Sequence, residues 1–231
     1  MDPMKTRIGA CATLMVGCLL VARPLVAQTT SAAGGAANRP GNFLTECTQM
    51  IEYNERRFVS LSEAFPAEKY AWSPGPGVRS VSQIFLHVTH RNFTQTLLIG
   101  TMPPPNLAQA HPGFVVGELN LNAPNTDAMV RSVTGEGIVE TTTTDKARVV
   151  ASLKASFVHF KDALKKLSPS DESKPVVWIG QNTYRGVCLF WARHLGEHLG
   201  QAIAYARMTG VVPPWTAAAE ERRAREGERA R

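Results

Sequence analysis

From Asn42 onward, apolar residues recur at alternating intervals of four and three, the spacing that lines the core side of a helix in a left-handed bundle. Cys47, Ile51, Asn54, Phe58, Leu61 and Phe65 predict a first helix of about six turns that Pro66 terminates. Ser80 offers an N-cap for a second helix that is apolar on two sides. Val81, Ile84, Phe85 and Val88 form one stripe with His87 at its edge, while Leu86, Phe93 and Leu97 form another with His90 alongside. Thr144-Asp145 caps a third helix with the stripe Val150, Leu153, Phe157, Phe160, Leu164 and Leu167, off which His159 is expected to face solvent. Asn182 or Thr183 caps the last and longest helix, which Gly210 and Pro213-Pro214 end. Its stripe is Val187, Trp191, His194, His198, Gln201, Tyr205 and Met208.

The segments between these helices break every period. Tyr70 to Gly77, with Trp72, Pro74, Gly75, Pro76 and Gly77, cannot be helical throughout. Residues 100–144 are long and irregular, with Pro103-Pro104-Pro105, Pro112-Gly113 and Pro124. A segment of that length in a compact domain is usually functional, or holds short elements the pattern does not disclose. His111 in it reads as a surface loop residue. Val176-Val177-Trp178-Ile179 reads as extended. The class that emerges is all-α, a four-helix bundle with a long irregular insertion between helices 2 and 3.

The two histidines of the last stripe carry the candidate chemistry. Residues four apart on a helix have Cβ atoms about 5–6 Å apart, so His194 and His198 can both reach one ion at the roughly 2.0–2.1 Å of a Zn–N bond. They stand where a bundle normally places Leu or Ile, and a buried imidazole without partners costs about 1–3 kcal/mol per unsatisfied group. The plainer reading is a hydrogen-bonded core pair. Metal ligation needs a third donor, and the pattern leaves His87 and His90 both open for it.

Length, charge and the chain ends narrow the setting. At 231 residues the chain suits one domain with a sizeable core. Residues 1–27, with Lys5 and Arg7 before the uncharged run from Ile8 to Ala22 and Leu25-Val26-Ala27 before Gln28, resemble a bacterial secretory signal peptide. That run is shorter than the roughly 20 residues of a spanning helix. A secreted or periplasmic protein, without stable membrane insertion once the signal is cleaved, is therefore expected. Residues 28–41 read as a flexible leader, 42–215 as the bundle, and 216–231 as a charged tail expected to be poorly ordered, since it has good helix formers but no apolar face. Loss of Lys5, Arg7, Arg23 and Asp2 would lower the net charge from +6 to +4, without a concentrated patch for phosphates, so nucleic acid is not an expected partner. Cleavage would leave Cys47 and Cys188, either as a disulfide or as small hydrophobes.

The chain also resembles the DinB-like superfamily, the DinB/YfiT metalloenzymes. The matching residues are Trp72-Ser73-Pro74, Ser80-Val81-Ser82-Gln83-Ile84-Phe85-Leu86-His87-Val88, His194-x-x-x-His198-x-Gly200-Gln201 and Tyr205-x-Arg207-x-x-Gly210-x-x-Pro213-Pro214. The resemblance spans about residues 42–215. It implies a four-helix bundle in which His87, His194 and His198 bind a divalent metal, zinc or nickel before others. It further implies metal-dependent hydrolysis or thiol-dependent transfer on a small-molecule substrate or thiol, although export sits poorly with a cytosolic thiol. Trp191, Glu197, Gln201 and Tyr205 are candidate pocket-lining residues, and a homodimer is among the assemblies open to such a bundle. Two rivals stand beside this reading. One is a metal-stabilised binding module without catalysis. The other is an inverted zinc peptidase, since His194-x-x-Glu197-His198 matches H-x-x-E-H with Glu197 as general base, although the chain beyond offers no evident helix to supply an acidic ligand.

Overall fold

The computed structural model describes residues 42–104, 139–177 and 181–231. The signal and leader segments, His111 and most of the 100–144 insertion lie outside the described residues. Four helices correspond to the four predicted: α1 (Phe43–Ala64), α2 (Val81–Thr94), α3 (Lys146–Lys165) and α4 (Tyr184–Met208). A fifth, α5 (Pro214–Arg229), follows. A short antiparallel pair, β1 (Pro175–Val177) and β2 (Gln181–Thr183), joins α3 to α4 with Pro175 opposite Thr183. Cys47 and Cys188 are both free thiols, buried in the same core.

Each helix begins where a side chain satisfies an otherwise orphaned backbone donor. Asn42 accepts from Thr45 N, Asp145 from Arg148 N, and Thr183 from Gly186 N. Ser80 and Gln83 form a reciprocal capping box at the start of α2, with Gln83 N donating to Ser80 Oγ at 3.3 Å and Ser80 N to Gln83 Oε1 at 2.7 Å. α2 gives way to a 3-10 turn over Gln95–Ile99 and stops at Gly100, whose φ of 79° lies in the left-handed region.

α1 and α2 each pack against both α3 and α4, so the bundle closes as a ring with α1 and α2 across a diagonal. Phe58 of α1 meets Phe85 of α2 edge to face across the centre, at 6.4 Å between centroids. Every residue of the predicted α1 stripe is buried. On α4 the stripe lies to one side of the prediction. Val187, Cys188, Trp191, Leu195, Ala202 and Ala206 are its most deeply buried residues, whereas His194 and His198 flank them and Met208 is 62% exposed at the helix end. The 3.6-residue period of a real helix drifts off a strict 3.5 repeat, which shifts the seam over five turns.

α2 is the most enclosed element, with its polar residues buried as well. Asn92, fully buried, donates to Ser156 Oγ of α3 at 3.0 Å and accepts from Trp191 Nε1 of α4 at 3.2 Å, linking three helices. His159 is not solvent-facing. Its Nε2 lies 2.8 Å from Thr96 Oγ1 and its ring packs on Phe93, because the 3-10 turn after α2 covers that flank of α3.

The tail is also not irregular. Pro214 stands at the first turn of α5, where its missing N–H costs nothing. Trp215 packs against the core, with the Arg57 guanidinium 4.6 Å from its ring centroid. Beyond it, Glu221 and Arg225 stand at i,i+4 among alanines, and this helix needs no apolar face of its own.

Asn92→Ala should lower unfolding stability by about 2 kcal/mol or more, since it strands the buried Trp191 N–H and leaves a void. Chemical denaturation of the two proteins measures this, and a change below about 0.5 kcal/mol would contradict the bridging role.

Candidate metal centre

Three histidines from two helices converge. His87 comes from the second turn of α2, and His194 and His198 come from successive turns of α4. Each offers one ring nitrogen, and the three nitrogens lie within 4.8 Å of one another. Ring centroids stand 5.2 Å apart for His87–His194 and 4.5 Å for each of the other two pairs. His87 and His194 are buried and His198 is half-buried. Two metal–nitrogen bonds of about 2.1 Å span at most about 4.2 Å, so the rings need only a small rotation to share one ion. His90, fully buried on the same helix, is not in the cluster.

The outer nitrogens show which ring atoms are left for a ligand. His87 Nδ1 lies 2.5 Å from Glu140 Oε1. Burial would raise the Glu140 pKa, but hydrogen bonds from His87 and Arg79 more than offset it and hold the carboxyl down at about 2. An ionised carboxylate only accepts, so Nδ1 carries a proton and Nε2 is the ring atom on the side away from Glu140. His198 Nδ1 lies 3.1 Å from Gln201 Oε1, while Gln201 Nε2 donates to the Tyr205 hydroxyl at 3.2 Å. The Tyr205 ring in turn meets Trp72 edge to face at 5.3 Å. His194 stacks on Phe190, and its Nε2 is buried without a hydrogen-bond partner among the described residues. A buried, unsatisfied imidazole nitrogen facing two other imidazoles is a cost that a cation would remove.

Electrostatics favour neutral rings. Burial, with help from the neighbouring histidines, depresses the His194 pKa to about 2, and burial followed by His87 depresses that of His198 to about 4. At neutral pH both lone pairs are therefore available without loss of a proton.

The other candidates are placed differently. Trp191 lies in the core, stacked on Phe160 at 4.5 Å. Glu197 projects from the exposed flank, paired with Arg193 four residues earlier, so it does not face the histidines. Gln201 and Tyr205 adjoin the site through His198. The sequence pattern did not single out Glu140, because it lies in the irregular segment, in a 3-10 turn over Val139–Thr141 packed against α2. No periodic signal marks such a residue, although an acidic side chain beside Val139 just ahead of a helix cap is a faint cue.

The DinB superfamily model matches residues 50–202, and the chain belongs to that superfamily. A conserved protein from Enterococcus faecalis, known from a crystal structure, shares the fold with a TM-score of 0.53 at 17% identity. The match covers 70% of this chain and 94% of that one. No curated protein matches.

In chelator-treated protein the melting temperature should fall as pH drops from about 6.5 towards 4. In that window the unfolded chain binds protons at His194 and His198 that the folded centre refuses, so stability rises with pH. Thermal melts of wild type and a His194→Asn/His198→Asn double variant measure the effect, and equal pH slopes in both would refute it.

Proposed function

We propose that the protein is an exported divalent-metal protein whose His87–His194–His198 centre supports a metal-dependent hydrolysis or thiol transfer on a small molecule. The observation that carries this reading is the convergence of three imidazoles around a buried His194 Nε2 that has no hydrogen-bond partner among the described residues. Three imidazole nitrogen donors with an open position are the donor set of catalytic zinc, and imidazole suits nickel equally. When bound, such an ion supplies Lewis acidity to a water or thiol at neutral pH. The chain's own residues do the rest. His194 and His198 present unprotonated nitrogens, Gln201 orients the His198 ring, and the Trp72–Tyr205 contact backs it.

The signal-like residues 1–27 support export, and no helix among the described residues is long and apolar enough to cross a membrane. The peptidase alternative weakens on geometry, because its glutamate, Glu197, is engaged by Arg193 on the outer flank and His87 supplies the third nitrogen instead. The helix that does follow, α5, rests on α1 through Trp215 and Arg57.

Elemental analysis of the purified protein beside His87→Ala is the direct test. Wild type should carry about one zinc or nickel ion per chain and the variant little. Equal metal content in both would exclude the triad. With metal loaded, a panel of electrophiles incubated with a low-molecular-weight thiol should show metal-dependent thiol consumption, and its absence together with a fall in melting temperature on chelation would favour a purely structural ion.

A further inference from the structure

Glu140 and Arg79 stand out once the ligand set is assigned. Arg79 immediately precedes the Ser80 cap of α2, and Glu140 lies in the 3-10 turn ahead of α3. Arg79 Nε donates to Glu140 Oε2 at 2.7 Å and its terminal amino group to Oε1 at 3.1 Å. The same Oε1 accepts from His87 Nδ1. The Glu140 side chain is only 8% exposed, whereas that of Arg79 is 37% exposed. A carboxylate buried this far is costly unless paired, and both of its oxygens are engaged by groups that donate. Both oxygens already accept, and Glu140 is not among the side chains whose donor atoms cluster, which places it behind His87 rather than beside it.

We propose that Glu140, held by Arg79, is a positioning residue for the metal centre: it fixes the Nδ1–H tautomer and ring plane of His87 so that Nε2 is the ligand atom. The inference rests on the metal-binding reading above. Its physical basis is general. A ligating histidine that donates its outer N–H to a carboxylate is locked in orientation and made more basic, and removing that partner typically weakens metal binding by about 10- to 100-fold. Arg79 acts one step further out. Its two-pronged contact sets the carboxylate plane and prevents Glu140 from swinging towards the ion. The pair also ties the end of the irregular segment to the start of α2, so that a residue 53 positions from His87 in sequence sets its geometry.

The test combines metal affinity with ring tautomer. Zinc and nickel dissociation constants would be measured by competition with a chromophoric chelator for wild type, Glu140→Ala, Glu140→Gln, Arg79→Ala and the Arg79→Ala/Glu140→Ala double variant. Glu140→Ala should lose about 10- to 100-fold in affinity and Glu140→Gln, which keeps the shape, less. Arg79→Ala should lose less than Glu140→Ala, and the double variant should be no weaker than Glu140→Ala alone, because Arg79 works only through the carboxylate. Ring-nitrogen NMR of the metal-free proteins at neutral pH gives a readout that stability alone does not move. His87, assigned by comparison with His87→Gln, should be the Nδ1–H tautomer in wild type and a mixture in Glu140→Ala. Wild-type affinity and tautomer in Glu140→Ala would overturn the proposal, and so would loss of all measurable binding, which would make Glu140 a ligand. Wild type that binds no metal while the tautomer shifts as described would sink the metal reading and leave the positioning role of Glu140 intact.

Discussion

The enclosure of α2 is the constraint on which the rest of the structure depends. Helices at a bundle surface can turn a polar face to water, but α2 is covered by α3 and α4 on its sides and by the Val139–Thr141 turn as well. Its polar residues must therefore find partners inside the protein. Thr89 returns its hydroxyl to Phe85 O and Asn92 bridges Ser156 and Trp191, while Thr96 in the 3-10 turn that follows takes His159. His87 belongs to the same series. Its outer nitrogen is satisfied by Glu140, and only its inner one is turned towards α4. The candidate metal centre is the place where this internal polar network brings imidazoles of facing helices together, with His194 Nε2 buried and without a hydrogen-bond partner among the described residues.

That origin explains why the fold was more legible than the site. The α1 stripe from Cys47 to Phe65 and the caps at Ser80, Asp145 and Thr183 follow from local periodicity and backbone satisfaction, which a linear sequence displays. His194 and His198 were visible as polar intrusions in an apolar pattern. The choice of His87 over His90 came from family resemblance, since both lie on apolar flanks and α2 is buried on every side. His159 departs from its solvent-facing expectation for the converse reason: what covers a helix flank is a neighbour's surface, and the turn over Gln95–Ile99 is not foreseeable from α3. Glu140 was invisible to any periodic argument. A side chain recruited from an irregular segment leaves no mark except its chemistry, and its role depends on an approach to Arg79 and His87 that only the folded chain defines.

The tail shows a related limit. Residues 216–231 have no apolar face of their own, yet α5 begins before that stretch, with Pro214 at its first turn and Trp215 against the core. Once the first turn is held, adding residues of high helix propensity costs little, because nucleation rather than propagation is the unfavourable step.

The string His194-x-x-Glu197-His198 shows how far a motif depends on its surroundings. In an α-helix the third residue after His194 lies about 60° round the axis from it, and the residue before His198 about 100° from that ring. Glu197 could therefore face the site only if α4 were rotated to share its two histidines with a different neighbour. The burial of Cys188, Trp191 and Leu195 on one flank fixes the rotation the other way. Arg193, one turn earlier on the exposed flank, then captures the carboxylate. With the rotation set by the core, the two α4 imidazoles can look only towards α2, and α2 meets them with a histidine whose orientation is held from behind. The same five residues on a helix packed differently would describe another chemistry.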